Sequence, residues 1–119
     1  MLTMPPTVRV FVASGPVDLR KGFDSLSALV QSSWGHDPLS GFLFVFYNRR
    51  GDQVRVLFWD RTGYCIVAKR LAQGRFRFPA GVREPCAEME PAEMTLILEG
   101  IDLTHARRLK RWRPTKKAA

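Results

Sequence analysis

The chain has 119 residues, room for one domain, and its 45% hydrophobic content is enough for a real core. Its formal net charge of +8 is segregated: residues 1–83 hold 12 Lys+Arg against 5 Asp+Glu, residues 84–104 hold 6 acids and no base, and residues 105–119 hold 7 bases and no acid. No stretch approaches the roughly 18 apolar residues of a membrane helix, two cysteines make no disulfide framework, and a basic body with a basic tail favours a polyanionic partner over a small-molecule substrate.

The N-terminal residues Met1 to Pro6 have no charged start and no apolar run, so no secretory leader is expected and a cytosolic chain with reduced thiols is. Val8 to Ala13 alternates, which predicts a strand with Val8, Val10 and Val12 on one face and Arg9 and Phe11 on the other. Ser14-Gly15-Pro16 ends it, and a helix is expected next, capped near Ser14 or Asp18. Leu19, Phe23, Leu26, Val30 and Trp34 recur at helical spacing and form one apolar stripe. Gly35-His36-Asp37-Pro38 stops that helix. Phe42 to Tyr47 is a short aromatic run that reads as a buried strand, and Asn48 to Asp52 as a hairpin turn. Gln53–Trp59 alternates, Asp60–Gly63 is a turn, Tyr64–Leu71 is a third strand of this meander, and Arg75–Phe78 is a short strand stopped by Pro79. Residues 80–92, with Pro85 and Pro91, read as a loop. Glu93 to Leu103 is expected to form a short helix with Met94, Ile97, Leu98 and Ile101 on one face, followed by a tail. Aromatic residues lie between Phe11 and Phe78 with only Trp112 beyond, which places the core in the first two-thirds of the chain.

The residues that carry metal or nucleophile chemistry are scattered. His36, Cys65, Cys86 and His105 lie 29, 21 and 19 residues apart, without the short spacing of a structural zinc site. Cys65 sits mid-strand among apolar neighbours, as a structural thiol does. No phosphate-binding glycine loop and no nucleophile-elbow motif is present. Asp18, Asp24 and Asp60 are the carboxylates a metal-dependent nuclease would need. On a continuous helix Asp18 and Asp24 point about 120° apart, so Asp18 reads as a cap, Asp24 as a solvated position and Asp60 as a turn residue. The arginines are better placed: Arg20-Lys21, Arg49-Arg50, Arg61, Lys69-Arg70 and Arg75/Arg77 all fall at a helix start, at turns or at strand ends, so several are expected to converge, and converging guanidinium groups suit bidentate contacts to phosphates. Tyr47, Trp59, Phe76 and Phe78 interleave with them and offer stacking faces, or else belong to the core.

Four blocks carry a resemblance. Gly15-Pro16-Val17-Asp18-Leu19-Arg20-Lys21-Gly22-Phe23-Asp24-Ser25-Leu26 resembles a G-x-x-D-M-R-K-G-F-D-G-L signature, and Leu43 to Asp52 resembles L-F-V-F-x-N-R-R-x-D. Leu57 to Tyr64 resembles L-x-W-D-x-x-G-F, and Lys69-Arg70-Leu71 with Gly74-Arg75-Phe76 resembles K-R-L-E-x-G-R-F. In order and spacing, from about Val8 to Pro79, these are similar to the TnpB accessory proteins of the sixty-six-type bacterial insertion sequences. Leu19, Ser25, Ala72 and Phe78 depart from the pattern, and Ala72 removes the acid usual there. The resemblance implies a small protein that works in transposition beside a companion, TnpA, and a large transposase, TnpC, which is expected to carry the strand-transfer chemistry. It brings no catalytic residues.

The expected fold is α+β: an N-terminal strand and an amphipathic helix packed on an antiparallel β-meander, with a short C-terminal helical segment and a basic tail. Residues 1–79 are read as the core domain, 80–104 as an acidic loop and short helix packed on it, and 105–119 as a partly disordered tail. The expected function is a non-enzymatic accessory factor, without metal, cofactor, small-molecule substrate or membrane contact, that binds transposon DNA. The expected contacts are Arg20, Lys21, Arg49, Arg50, Arg61, Lys69, Arg70 and Arg75 on the body, and Arg107, Arg108, Lys110, Arg111 and Arg113 on the tail. The rivals are a protein–protein adaptor that docks through Glu84–Asp102, and a nuclease built on Asp18, Asp24 and Asp60.

Overall fold

Alternating residues of one strand can serve two cores only if both faces of the sheet are covered, and that is the situation of the first strand. The computed structural model describes residues 8–78 and 83–99. In chain order these form β1 (Val10–Ala13), α1 (Phe23–Ser32), β2 (Leu43–Tyr47), β3 (Gln53–Trp59), β4 (Tyr64–Arg70), β5 (Cys86–Met89) and α2 (Pro91–Leu98). All of β1 is buried. Val10 and Val12 join one cluster with Leu43, Val45, Val54, Val56, Phe76 and the α2 residues Met94, Ile97 and Leu98. Phe11 and Ala13 point the other way, into a cluster with Phe44, Phe46, Leu57 and the residues Leu19, Leu26, Val30 and Trp34. The molecule is therefore α+β in three layers, with α1 on one face of the sheet and α2 on the other.

The sheet is mixed, with the order β4-β3-β2-β1-β5. β2, β3 and β4 form the antiparallel meander read from the sequence. β1 does not extend that meander: it runs parallel to β2, with Val10 opposite Leu43. Parallel neighbours need a crossover rather than a tight turn, and α1 with its flanking loops supplies it. On its other side β1 pairs antiparallel with β5, Ala13 opposite Cys86 and Val10 opposite Met89. The segment read as a loop thus holds a strand. Its sequence, Cys86-Ala87-Glu88-Met89, is too short to show a period, and it is a strand because β1 offers it an open edge. Arg9 and Glu88 reinforce that edge with two guanidinium–carboxylate bonds of 2.8 and 2.7 Å.

Other expectations shift as well. Arg75–Phe78 is not a strand: Phe76 is buried and its N–H donates to the carbonyl of Gly51 at 2.7 Å, while the Phe78 ring stacks on Tyr47 with centroids 4.5 Å apart. α1 begins at Phe23, with Gly22 at the N-cap and no side-chain cap. Asp18 lies before the helix and caps nothing; it organises a turn of its own. Leu26 and Val30 are fully buried, but Phe23, read as part of the same stripe, is 48% exposed. The core is not confined to the first two-thirds of the chain, because Met94, Ile97 and Leu98 complete one of its halves. α2 starts two residues early, with Pro91 in its first turn, where a missing N–H costs nothing. Ile101 and the tail lie outside the described residues.

The Asp60–Gly63 turn is tightly specified. The Asp60 carboxylate accepts the Thr62 and Gly63 N–H groups and the Thr62 hydroxyl, each at 3.1 Å, and the Cys65 thiol at 3.3 Å. These bonds, led by the Thr62 N–H, hold its pKa below the ordinary aspartate value. Between them Arg61 adopts φ 89°, the left-handed region, alone among the described non-glycine residues. A side chain there costs about 1–2 kcal/mol, and glycine's extra freedom in the unfolded chain takes back about 0.5–1 kcal/mol. Arg61→Gly is therefore expected to raise unfolding free energy by roughly 0.5 kcal/mol. Arg61→Ala is expected to bring no such gain, as denaturant titration of the two variants will show.

Candidate nucleic-acid interface

Because β1 and β2 run in the same direction, their C-terminal ends share one end of the sheet. β3 starts there and β4 finishes there. Three connecting segments therefore meet at that end: 14–22 after β1, the hairpin 48–52, and 71–78 after β4. They are tied to one another through the backbone. The Val17 N–H donates to the Tyr47 carbonyl at 2.8 Å, the Leu71 N–H to Asp52 at 2.8 Å and the Phe76 N–H to Gly51 at 2.7 Å. Arg55, in the middle of β3, reaches across and donates to the Leu19 carbonyl. A cleft of about 330 Å³ opens between the first two segments, lined by Pro16, Val17, Asp18, Leu19, Asn48, Arg49 and Arg50.

The hairpin turn is built from its own polar atoms. The Asn48 side chain donates to Asp52 at 2.8 Å and accepts the Gln53 N–H at 3.1 Å. Gly51 has φ 77°, and a Cβ there would lie 3.6 Å from the Cβ of Arg75, so the stem of Arg75 rests against the turn. With the backbone satisfied internally, Arg49 and Arg50 stand exposed at the tip. Arg70 and Arg75 are exposed beside them, and Arg20 and Lys21 across the cleft.

Two carboxylates temper this charge. Asp18 accepts the Arg20 N–H at 3.0 Å and grips the Arg20 guanidinium at 2.9–3.2 Å. Those bonds hold its pKa down to about 2, so it is ionised at neutral pH. Asp52 is also held below the ordinary value, first by the Asn48 hydrogen bond and then by Arg50 and Arg70. The side chain of Arg20 is 91% exposed despite its partner, so its remaining donors face water.

Of the residues singled out from the sequence, Arg20, Lys21, Arg49, Arg50, Arg70 and Arg75 share this end. Arg61 is at the other end, on the turn that joins β3 to β4. Lys69 is committed elsewhere: its ammonium donates to the Leu98 carbonyl at 2.7 Å and fastens the last turn of α2 to the sheet. Arg107, Arg108, Lys110, Arg111 and Arg113 lie outside the described residues. The aromatics read as stacking faces are largely occupied, Phe76 in the core, Tyr47 against Phe78, and Trp59 edge-on to Tyr64 with centroids 5.2 Å apart. Two residues matter here that the sequence pattern does not single out. Arg55 alternates with Val54 and Val56 like any solvated strand position, and Phe23 falls on the core stripe of its helix.

The carboxylates of the nuclease reading do not meet. Asp18 and Asp60 lie at opposite ends of the sheet, separated by the length of β3, roughly 20 Å for a strand of that length. Cys65 and Cys86 are free thiols on opposite edge strands. Asp60 pushes the Cys65 thiol up, away from thiolate, first through its hydrogen bond. His36 packs against Phe11, ring centroids 4.0 Å apart. Among the described residues no three His, Cys, Asp or Glu side chains are grouped to hold a metal ion. None of the described helices is long and apolar enough to cross a membrane.

Comparison with known proteins agrees with the motif blocks. Two proteins of Sinorhizobium fredii (strain NBRC 101917 / NGR234) are similar over nearly their whole lengths, and both are described only as uncharacterized. The first, y4jC, is 40% identical over 111 residues, 93% of this chain and 94% of its own. The second, y4hO, is 41% identical over 116 residues, 98% of each. No solved structure matches. The family described as IS66 Orf2 like protein matches residues 8–108, from just before β1 to beyond α2, and the chain belongs to that family of insertion-sequence proteins.

Proposed function

We propose that this protein is a non-enzymatic accessory factor in transposition that holds DNA by its phosphates at the cleft end of the sheet and assists a transposase there. The observation that carries the reading is the convergence of Arg20, Lys21, Arg49, Arg50, Arg70 and Arg75, from three connecting segments and the last residue of β4, onto one rim. Exposed guanidinium forks on a fixed scaffold suit phosphate oxygens, and such contacts position a protein on DNA without reading sequence. Membership of an insertion-sequence family supplies the context. The tail adds seven positive charges without an acid, a second site of phosphate contact. The partners in this reading are DNA, the transposase TnpC and its companion TnpA, and the setting is the bacterial cytoplasm.

The adaptor reading has less to work with. An adaptor docking the acidic stretch Glu84–Asp102 on a basic face would do so by charge alone, through exposed acids such as Glu84, Glu90 and Glu99, because the apolar residues Met94, Ile97 and Leu98 of α2 are packed in the core. The nuclease reading lacks a place where its carboxylates meet.

Three measurements test the proposal. Replacing Arg49 and Arg50 with Ala is expected to weaken DNA binding while stability stays within about 0.5 kcal/mol, as at ordinary surface positions; unfolding of the double variant would assign them to structure. Removing residues 105–119 is expected to flatten the plot of log affinity against log salt, by about 0.9 for each phosphate that the shortened chain leaves unneutralised. An unchanged slope would make the tail idle on DNA. Asp18→Asn removes the carboxylate that grips Arg20 and adds one net positive charge, so affinity is expected to rise and the salt slope to steepen by up to about 0.9. Weaker binding in that variant would instead show that the orientation Asp18 gives Arg20 outweighs the charge it removes.

A further inference from the structure

We propose that Phe23 is a stacking platform for an unpaired nucleobase, so that the cleft end takes single-stranded or opened DNA in preference to closed duplex; this rests on reading that end as a phosphate-binding surface. Phe23 belongs by spacing to the apolar stripe of α1, yet it is 48% exposed. The helix does not need it, since Leu26 and Val30 are fully buried without its help. Leu39 is the other exposed large hydrophobic residue among those described, and it sits in the loop before β2, at the far end of the sheet. Among the described residues, the one large apolar side chain left in water near the cleft is therefore an aromatic one.

Its neighbours supply the rest of a single-strand site. Phe23 follows Arg20, Lys21 and Gly22 directly, and Leu19, just before them, lines the cleft with Arg49 and Arg50. The other rings at this end use their faces on each other or on the core, as Tyr47 and Phe78 do. An aromatic face beside a cationic track is the combination by which proteins hold single strands, the track following the phosphates and the ring taking a base. In closed duplex each base face is covered by its stacked neighbour, so Phe23 gains nothing there and only the phosphate contacts remain.

The test compares a fluorescein-labelled oligothymidylate with a hairpin duplex of equal length, by anisotropy at fixed salt, for wild type, Phe23→Ala, Phe23→Leu and Phe23→Trp. Wild type is expected to bind the oligothymidylate more tightly than the duplex. Phe23→Ala is expected to lose about tenfold on the single strand, the scale of one base–aromatic stack, and to keep duplex affinity and salt slope. Phe23→Leu, apolar but without a π-face, should behave like Ala, and Phe23→Trp like wild type. Thermal melts that coincide across the set keep the comparison one of binding. Wild-type affinity of Phe23→Ala for the oligothymidylate, or equal affinity of wild type for both DNAs, overturns the inference and leaves the phosphate-binding proposal standing. Failure of wild type to bind either DNA overturns both.

Discussion

The parallel pairing of β1 with β2 is the constraint on which the rest of this structure depends. Two antiparallel strands can be closed by a few residues, but two parallel ones require the chain to return across the sheet. Here the return is α1, and its landing places the loop 14–22 next to the hairpin 48–52. Had β1 joined the meander antiparallel, its C-terminal loop would lie at the end that carries Arg61, and the cleft would not exist. Placing β1 inside the sheet also demands a second neighbour and a second cover. β5 supplies the neighbour and α2 the cover, which is why the last described part of the chain is structural and not an appendage.

The electrostatics of the cleft end are those of a restrained cationic rim. Asp18 and Asp52 both sit among arginines, and both stay ionised because those arginines and nearby hydrogen bonds favour the charged form. Their effect is to fix geometry: Asp18 orients Arg20, and the Asn48–Asp52 bond closes the hairpin turn. Exposed ion pairs of this kind add little stability. What they do add is direction, by holding a flexible guanidinium where its free donors point outward. The opposite turn follows another logic, with Asp60 spent on its own backbone and Arg61 held in a conformation its side chain disfavours.

Much of this is legible in the residues. The meander announces itself through alternation and turn chemistry, and its strand limits fall within a residue or so of those observed, because side-chain period and turn type are local properties. The family blocks fall on the loop, the hairpin, the β3–β4 turn and the end of β4, so the candidate arginines are visible too. What is not legible is non-local. Nothing within Cys86–Met89 marks it as a strand; its pairing depends on the free edge of β1, far away in the chain. Nothing within Val10–Ala13 tells a parallel partner from an antiparallel one. By sequence Lys69 is a strand-end cation like any other, and only the arrival of α2 beside it gives its ammonium a carbonyl to bind. Phe23 escapes for a related reason: periodicity locates a helix face, but the length of helix that the sheet covers is set by the sheet.

The bond from Lys69 to the Leu98 carbonyl has one further consequence. It ties the end of α2 to the β4 edge strand, through the residue next to Arg70. In the DNA-binding reading proposed above, the seven basic residues that follow α2 in the sequence would offer a polyanion held at the rim a second, intramolecular contact. A second site joined by a short linker acts at an effective concentration of about millimolar order. On that proposal two weak electrostatic contacts couple into one avid one, and the Lys69 bond sets where the chain between them begins.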